Sequence, residues 1–431
     1  MTNSQFWAYI RAILVPSYRI KIGKTPMSSF LVTKTKAKAQ LVGIKAAMTL
    51  IPAPKPTMFA GEGASLKLCQ AIGDFGHKHI LIVSDKILNQ LGVLSPLVEK
   101  LQASGVKATI FDGVLPDPTQ SIAEACLQQY KVAGCDSVLA VGGGSSIDVA
   151  KVVALAATNN KTPQELVGIL KGRKATAPLY AVPTTAGTGS EVTVGAVISD
   201  DKTHQKGLVL DPKLVPRMVA LDSVIMSGMP PKVTAETGLD ALTHAVEAFI
   251  SDFAAEESDL YARAAIKLIF SNLRVAYKEP KNLQAREAMA LASHYAGFAL
   301  NMAGLGYVHA IAHQLGGHYG LPHGLSNAIV LPYVLNFSRP VIDERLAELA
   351  RFCGLVTHET STTIAAQAFM EELKQLMTEL NIKSVVPKMT PQDFDDIMQA
   401  AFKEAHGTYA VPKYMSEDDC LQMLYMIAQA S

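Results

Sequence analysis

The sequence predicts two unlike halves, an α/β domain with a parallel sheet followed by an all-α domain. Three observations carry this reading. From about residue 60 to 230, short β-rich runs alternate with helical stretches, the pattern of strand–helix–strand units. The strand-length runs are apolar on both faces, which suits a sheet covered by helices on both sides. From about residue 232 the strand-like runs stop, and long stretches rich in Ala, Leu, Met and Glu keep helical apolar spacing.

The chain opens with a basic segment. Residues 1–61 contain Arg11, Arg19, Lys21, Lys24, Lys34, Lys36, Lys38, Lys45 and Lys55 and no Asp or Glu. Residues 1–52 read as an extension, solvated or loosely docked, with membrane-surface contact or targeting as the alternatives. It has no apolar stretch of bilayer-spanning length. The whole chain carries a formal charge of +1 and 6% aromatics, so neither an electrostatic nor a stacking basis for a nucleic-acid partner exists. The five cysteines are dispersed with no CxxC pair, which reads as reduced thiols in a cytoplasmic protein.

The α/β domain is expected over residues 53–231. Its strand candidates are Ile80–Ser84, Ala108–Phe111, Ser137–Val141, Leu179–Val182 and Met218–Leu221, with helices such as Ser121–Ala133 and Ser146–Ala157 between them. The third strand runs into Gly142-Gly143-Gly144-Ser145-Ser146-Ile147-Asp148. A glycine turn between strand and helix lets a phosphate approach free N–H groups at the positive end of the helix dipole. Ser145 or Ser146 is expected to cap that helix. The run lacks the GxGxxG spacing, so a tight structural connection is the competing reading. Pro183-Thr184-Thr185-Ala186-Gly187-Thr188-Gly189-Ser190-Glu191-Val192-Thr193 follows the next strand. Its hydroxyls fit a ribose or pyrophosphate, or bond only their own backbone. Asp85 ends the first strand, where a carboxylate either binds a ribose hydroxyl, favouring NAD over NADP, or caps the next helix.

Pro230-Pro231 marks the boundary, and residues 232–431 form the helical domain. Asp240 and His244 stand four apart on a helix that is apolar nearly all round, so both share one buried face. A buried Asp needs a strong partner, and a metal ion is one. Glu247 is a rival ligand, with a salt bridge at the helix edge favoured. His309 and His313 form a second i,i+4 pair. Gly316-Gly317 is expected to end that helix, and Pro322-His323-Gly324 to open the next. The candidates are thus one carboxylate and up to four imidazoles, a set suited to Fe2+, Zn2+ or another divalent ion.

These four segments, in this order and spacing, resemble the signatures of the iron-containing (group III) alcohol dehydrogenases, across roughly residues 55–430. The resemblance implies that Asp240, His244, His309 and His323 are the metal ligands. It implies that His313 stays free beside the nicotinamide and substrate, to relay a proton or orient the substrate. It implies that Gly143, Gly144 and Ser145 hold the pyrophosphate of NAD and that Thr184, Thr185 and Thr193 line the cofactor site with Asp148. It places Asp85 at the adenosine ribose and Lys206 at the nicotinamide ribose. His318 stands where many relatives carry a bulky apolar residue. The implied activity is metal-assisted hydride transfer between a small alcohol or diol and NAD, in a homo-oligomer of two or more chains. The apolar run at Leu300, Met302 and Leu305 suggests a pocket for small or medium aliphatic substrates. A lyase on the same scaffold would need basic residues for a phosphorylated acid, and the region around the histidines is nearly uncharged.

Overall fold

The computed structural model describes Leu41 and residues 54–203, 205–386 and 388–429. Apart from Leu41, the expected N-terminal extension lies outside the described residues. Nine strands, all before residue 222, form two sheets among the described residues: β1 Thr57–Ala60, β2 His79–Val83, β3 Lys107–Phe111, β4 Ser137–Gly142, β5 Gly168–Ile169, β6 Leu179–Pro183, β7 Gly195–Ser199, β8 Lys206–Leu210 and β9 Met218–Leu221. The main sheet has the order β1-β9-β6-β4-β2-β3 and every pairing in it is parallel. A smaller sheet, β5-β8-β7, pairs β7 antiparallel to β8.

Helices longer than five residues are α1 Ala64–Asp74, α2 Ser95–Ala103, α3 Gln120–Ala133 and α4 Gly144–Asn159 beside the sheet. They continue with α5 Pro231–Ile250, α6 Glu256–Lys278, α7 Leu283–Ala303, α8 Tyr307–Tyr319, α9 His323–Cys353, α10 Thr362–Glu379, α11 Phe394–Ala405 and α12 Glu417–Gln429. The two-faced apolar strands explain the layering. Leu81, Val83, Val138 and Ala140 pack on one face with α3 and α4. Ile80, Ile82, Leu139 and Val141 pack on the other with α1 and α2. The helices from α5 onward bury a separate apolar core, with Leu239, Val246, Ile266, Leu315 and Leu346 inside it.

The strand order places the crevice. From β2 the chain steps outward to β3, then crosses back so that β4 lies on the other side of β2. In open parallel sheets a ligand binds outside the carboxyl ends of the two strands where this direction reverses. Those ends carry Asp85 after β2 and the Gly142–Ser145 turn after β4.

Candidate metal and cofactor site

The metal-ligand candidates come from three helices. Pro231 starts α5, and from Thr234 to its end every residue of that helix except Thr237 is buried. One turn separates Asp240 from His244, so both aim the same way. Helix α8 contributes His309. Helix α9 begins at His323, with Pro322 as its N-cap. Gly324 lets α9 sit close to α5: a Cβ there would lie 2.3 Å from the Glu236 carbonyl oxygen and 3.4 Å from Asp240 Cβ. That approach brings His323 Nε2 to 3.4 Å from Asp240 Oδ1.

One ligand atom from each of Asp240, His244, His309 and His323 lies within 4.8 Å of all the others. A tetrahedral ion with bonds of about 2.0–2.2 Å holds its donors about 3.3–3.6 Å apart, so the widest pair would close by about 1.2–1.5 Å around it. The His244 and His309 rings stack at 4.7 Å. Burial, then the neighbouring imidazoles, hold His309 well below the usual histidine range. Burial likewise lowers His323 to about 4, against the pull of Asp240. Both rings are therefore neutral at pH 7, the form that binds metals.

The tautomer of His309 is fixed from behind. Its Nδ1 donates to Glu247 Oε2 at 2.6 Å, leaving the lone pair on Nε2. Glu247 also accepts from Gly306 N at 3.0 Å and Val308 N at 2.7 Å. Burial raises its carboxyl, while the backbone N–H groups of Val308, Gly306 and His309 favour the charged, accepting form. Glu247 is thus no salt-bridge partner at a helix edge. It is a buried orienting group, because its helix face turns inward against the α7–α8 connection. Gly306 permits this, since a Cβ there would come 2.6 Å from Glu247 Oε1.

Asn327, one turn after His323, tests whether a cation suits the cluster. Its Nδ2 lies 2.7 Å from Asp240 Oδ1, 3.1 Å from His309 Nε2 and 3.2 Å from His323 Nε2. An amide nitrogen has two hydrogens, so it cannot satisfy three acceptors at once. The Asn327 carbonyl oxygen and His244 Nδ1 are buried without a hydrogen-bond partner. Three neutral or anionic acceptors converging on one point are matched by a cation, and the residues fit a divalent ion.

His313 lies one turn after His309, and its ring stacks on His323 at 5.2 Å. Its Nδ1 bonds Glu404 Oε1 at 2.7 Å. Helix α8 does not end at Gly316-Gly317 but runs on to Tyr319. Gly320 caps it with φ 65°, because its left-handed backbone, not the two internal glycines, closes the helix. His318 is exposed beside Tyr319.

The phosphate-cradle candidates sit at the start of α4. Neither Ser145 nor Ser146 caps it: the N-cap is Gly143, no side chain caps the helix, and Ser146 is buried. The first-turn N–H groups of a sixteen-residue helix are consequently free of side-chain partners, which fits a pyrophosphate. The Thr184–Val194 loop faces this turn. Thr184 N bonds the Gly142 carbonyl at 3.0 Å, and Gly143 faces Thr185. Asp85 accepts from Leu88 N at 3.0 Å as the N-cap of the short helix Lys86–Gln90. Lys206 is exposed on β8, 3.5 Å from Asp117, and its charge helps lower His323.

Beneath the loop is a buried polar network. Asp148 Oδ1 accepts from Ser190 Oγ at 2.6 Å and Oδ2 from Val197 N at 2.8 Å, so its carboxylate faces the protein. Lys151 is fully buried and donates to Thr193 O at 2.7 Å, Thr193 Oγ1 at 3.0 Å and Gly195 O at 2.7 Å. Burial lowers its amine to about 8, although Asp148 and Glu191 pull the other way. Glu191 pairs with His294 of α7, and Asn301 Nδ2 donates to the Val192 carbonyl at 2.6 Å. The loop is therefore pinned to both halves of the molecule. Glu404, Asn327 and Lys151 were not singled out from the sequence. Asn327 stands four residues after His323, and Lys151 is the one basic residue of a largely apolar helix, so local pattern marks both. Nothing local marks Glu404.

The chain belongs to the iron-containing alcohol dehydrogenase family. Residues 55–223 match the family "Iron-containing alcohol dehydrogenase", and residues 234–428 match "Fe-containing alcohol dehydrogenase family, C-terminal". Alcohol dehydrogenase 4 of Schizosaccharomyces pombe is 37% identical over 351 residues, covering 80% of this chain and 82% of that protein. The NAD-dependent methanol dehydrogenase of Bacillus methanolicus is 34% identical over 371 residues, 86% of this chain and 97% of that protein. The solved alcohol dehydrogenase from Oenococcus oeni superposes with a TM-score of 0.83 at 36% identity, covering 87% of this chain and 99% of that one. The protein is an oxidoreductase of alcohols and their aldehydes.

Proposed function

We propose that this enzyme uses NAD and a divalent metal ion to interconvert a primary alcohol or small diol with its aldehyde. Fe2+ is the favoured ion, with Zn2+ or another divalent ion as alternatives. The convergence of Asp240, His244, His309 and His323 on one point carries the reading. Thr237, one turn before Asp240, packs against Gly187 of the loop whose Thr188 meets Gly144 at the uncapped start of α4, where a dinucleotide would bind.

Asp240, His244, His309 and His323 would hold the ion. When bound, the ion supplies Lewis acidity toward the substrate oxygen and NAD accepts the hydride. The chain's own residues do the rest. Glu247 keeps the His309 ring turned for ligation. The Gly143–Ser145 backbone would take the pyrophosphate, Asp85 the adenosine ribose and Lys206 the nicotinamide ribose. Thr184, Thr185 and Thr193 would line the cofactor, with Asp148 and Lys151 holding their loop from below. His313 would orient the substrate hydroxyl or take its proton. Leu300, Met302 and Leu305, partly buried where α7 ends, suit a small aliphatic chain.

A cytoplasmic location is supported by five unpaired cysteines. No helix among the described residues is long and apolar enough to cross a membrane. A homo-oligomer of two or more chains follows from the family resemblance, and light scattering would test it. The activity test uses metal-stripped protein refilled anaerobically with Fe2+ or Zn2+. Primary alcohols and short diols are supplied with NAD+ or NADP+, and NADH or NADPH absorbance is followed. The expected result is turnover that requires both metal and NAD+. Equal turnover without metal, or preference for NADP+, would overturn the reading.

A further inference from the structure

Glu404 lies on α11, far along the chain from His313, yet their side chains meet at 2.7 Å. The carboxylate is the hub of a small network. Its Oε1 also accepts from the Tyr409 hydroxyl at 2.7 Å. Its Oε2 accepts from Gln314 Nε2 at 3.2 Å, while the same Nε2 also reaches the Ala310 carbonyl at 3.3 Å. Each neighbour therefore donates and Glu404 accepts. An acceptor at Nδ1 forces the His313 proton onto that nitrogen and leaves the lone pair on Nε2. Both side chains are about a quarter exposed, and His313 stacks on the ligand candidate His323. The pair thus opens onto the site.

We propose that Glu404 is a positioning residue for His313, fixing the ring and its tautomer so that Nε2 presents a lone pair to the substrate hydroxyl. The inference rests on the reading of His313 given above. In the oxidative direction the hydroxyl proton passes to Nε2 and the carbinol hydride to NAD+. The products are aldehyde, NADH and an imidazolium whose Nδ1–H remains on Glu404. Tyr409 and Gln314 hold the carboxylate in line.

The test is a double-mutant cycle on the metal-loaded enzyme with Glu404→Gln, His313→Ala and the double variant. Metal content, the KM for NAD+ and thermal unfolding are measured beside kcat. His313→Ala is expected to lower kcat by about 100-fold, within the range for a lost acid–base group. Glu404→Gln keeps the shape but removes the negative charge beside the imidazolium, and its amide nitrogen meets either the His313 Nδ1–H, favouring the wrong tautomer, or the Gln314 donor. It should lower kcat by about 10-fold or more with metal content and the KM for NAD+ unchanged. In the His313→Ala background it should cost nothing further, since its effect runs through the ring. An equal loss in both backgrounds, or wild-type kcat in Glu404→Gln, would overturn the proposal. Wild-type kcat in His313→Ala would refute the reading of His313 itself, and the role of Glu404 with it. If Glu404→Gln fails to fold, Tyr409→Phe carries the same cycle, with a smaller loss that must also vanish without His313.

Discussion

Replacing Glu247 by Gln changes one oxygen to nitrogen in a place where three donors converge. Oε1 accepts from Val308 N, and Oε2 accepts from Gly306 N and His309 Nδ1. If the glutamine oxygen takes the Oε2 position, its amide nitrogen faces the Val308 N–H. One buried donor is then unsatisfied, at a cost of about 1–3 kcal/mol. If the oxygen takes the Oε1 position, the amide faces His309, whose Nδ1 must become the acceptor. The ring proton then moves to Nε2 and the metal-facing lone pair is lost. Either arrangement penalises the site. The loss of such an orienting partner lowers metal affinity by about 10–100-fold, or about 1.4–2.8 kcal/mol. Chelator competition against Zn2+ measures the affinity, and melting of the metal-free protein measures the stability cost. A Glu247→Gln variant with wild-type affinity and wild-type melting would refute the tautomer argument.

Three further outcomes follow from the geometry. His309→Ala should abolish stoichiometric metal binding while NAD+ binding, measured by calorimetry, persists. Gly306→Ala drives a Cβ into Glu247 Oε1; it should cost about 1–3 kcal/mol of stability and weaken metal binding in the same competition assay. Burial holds the Lys151 amine at about 8 in the folded protein, below the ordinary lysine value of 10.5. The unfolded chain therefore binds more protons between those values, and this group makes stability rise with pH across that window. Lys151→Met should remove that part of the slope in denaturant titrations at a series of pH values, and should raise the KM for NAD+ by loosening Thr193.

Much of this was legible in the sequence, for reasons that differ by element. Strands buried on both faces announce themselves as apolar runs, and Met218–Leu221 has the same bounds as the strand observed. Strand β1 has mostly exposed residues and gives no such run. The β7–β8 hairpin that presents Lys206 is partly exposed and broken by glycines, so its periodicity is weak. The cluster of Asp240, His244, His309 and His323 was legible in part because helical spacing of four puts Asp240 and His244 on one face, and the family resemblance set His313 apart from the ligand candidates. The partners of those ligands were not legible. Glu247 meets His309 across 62 residues, and Glu404 meets His313 across 91. Such pairings depend on how helices pack, which local spacing does not encode. The helix end expected at Gly316-Gly317 failed for a related reason. The glycine penalty of about 1 kcal/mol each is outweighed by packing of α8 against its neighbours and by the cap at Gly320.

The most direct test of the central claim is X-ray absorption at the metal edge of refilled protein, compared with His309→Ala. The expected result is a shell of nitrogen and oxygen only, with three imidazoles and one carboxylate at about 2.0–2.2 Å, and loss of that shell in the variant. A sulfur scatterer, a shell without imidazole, or an unchanged spectrum in His309→Ala would contradict it.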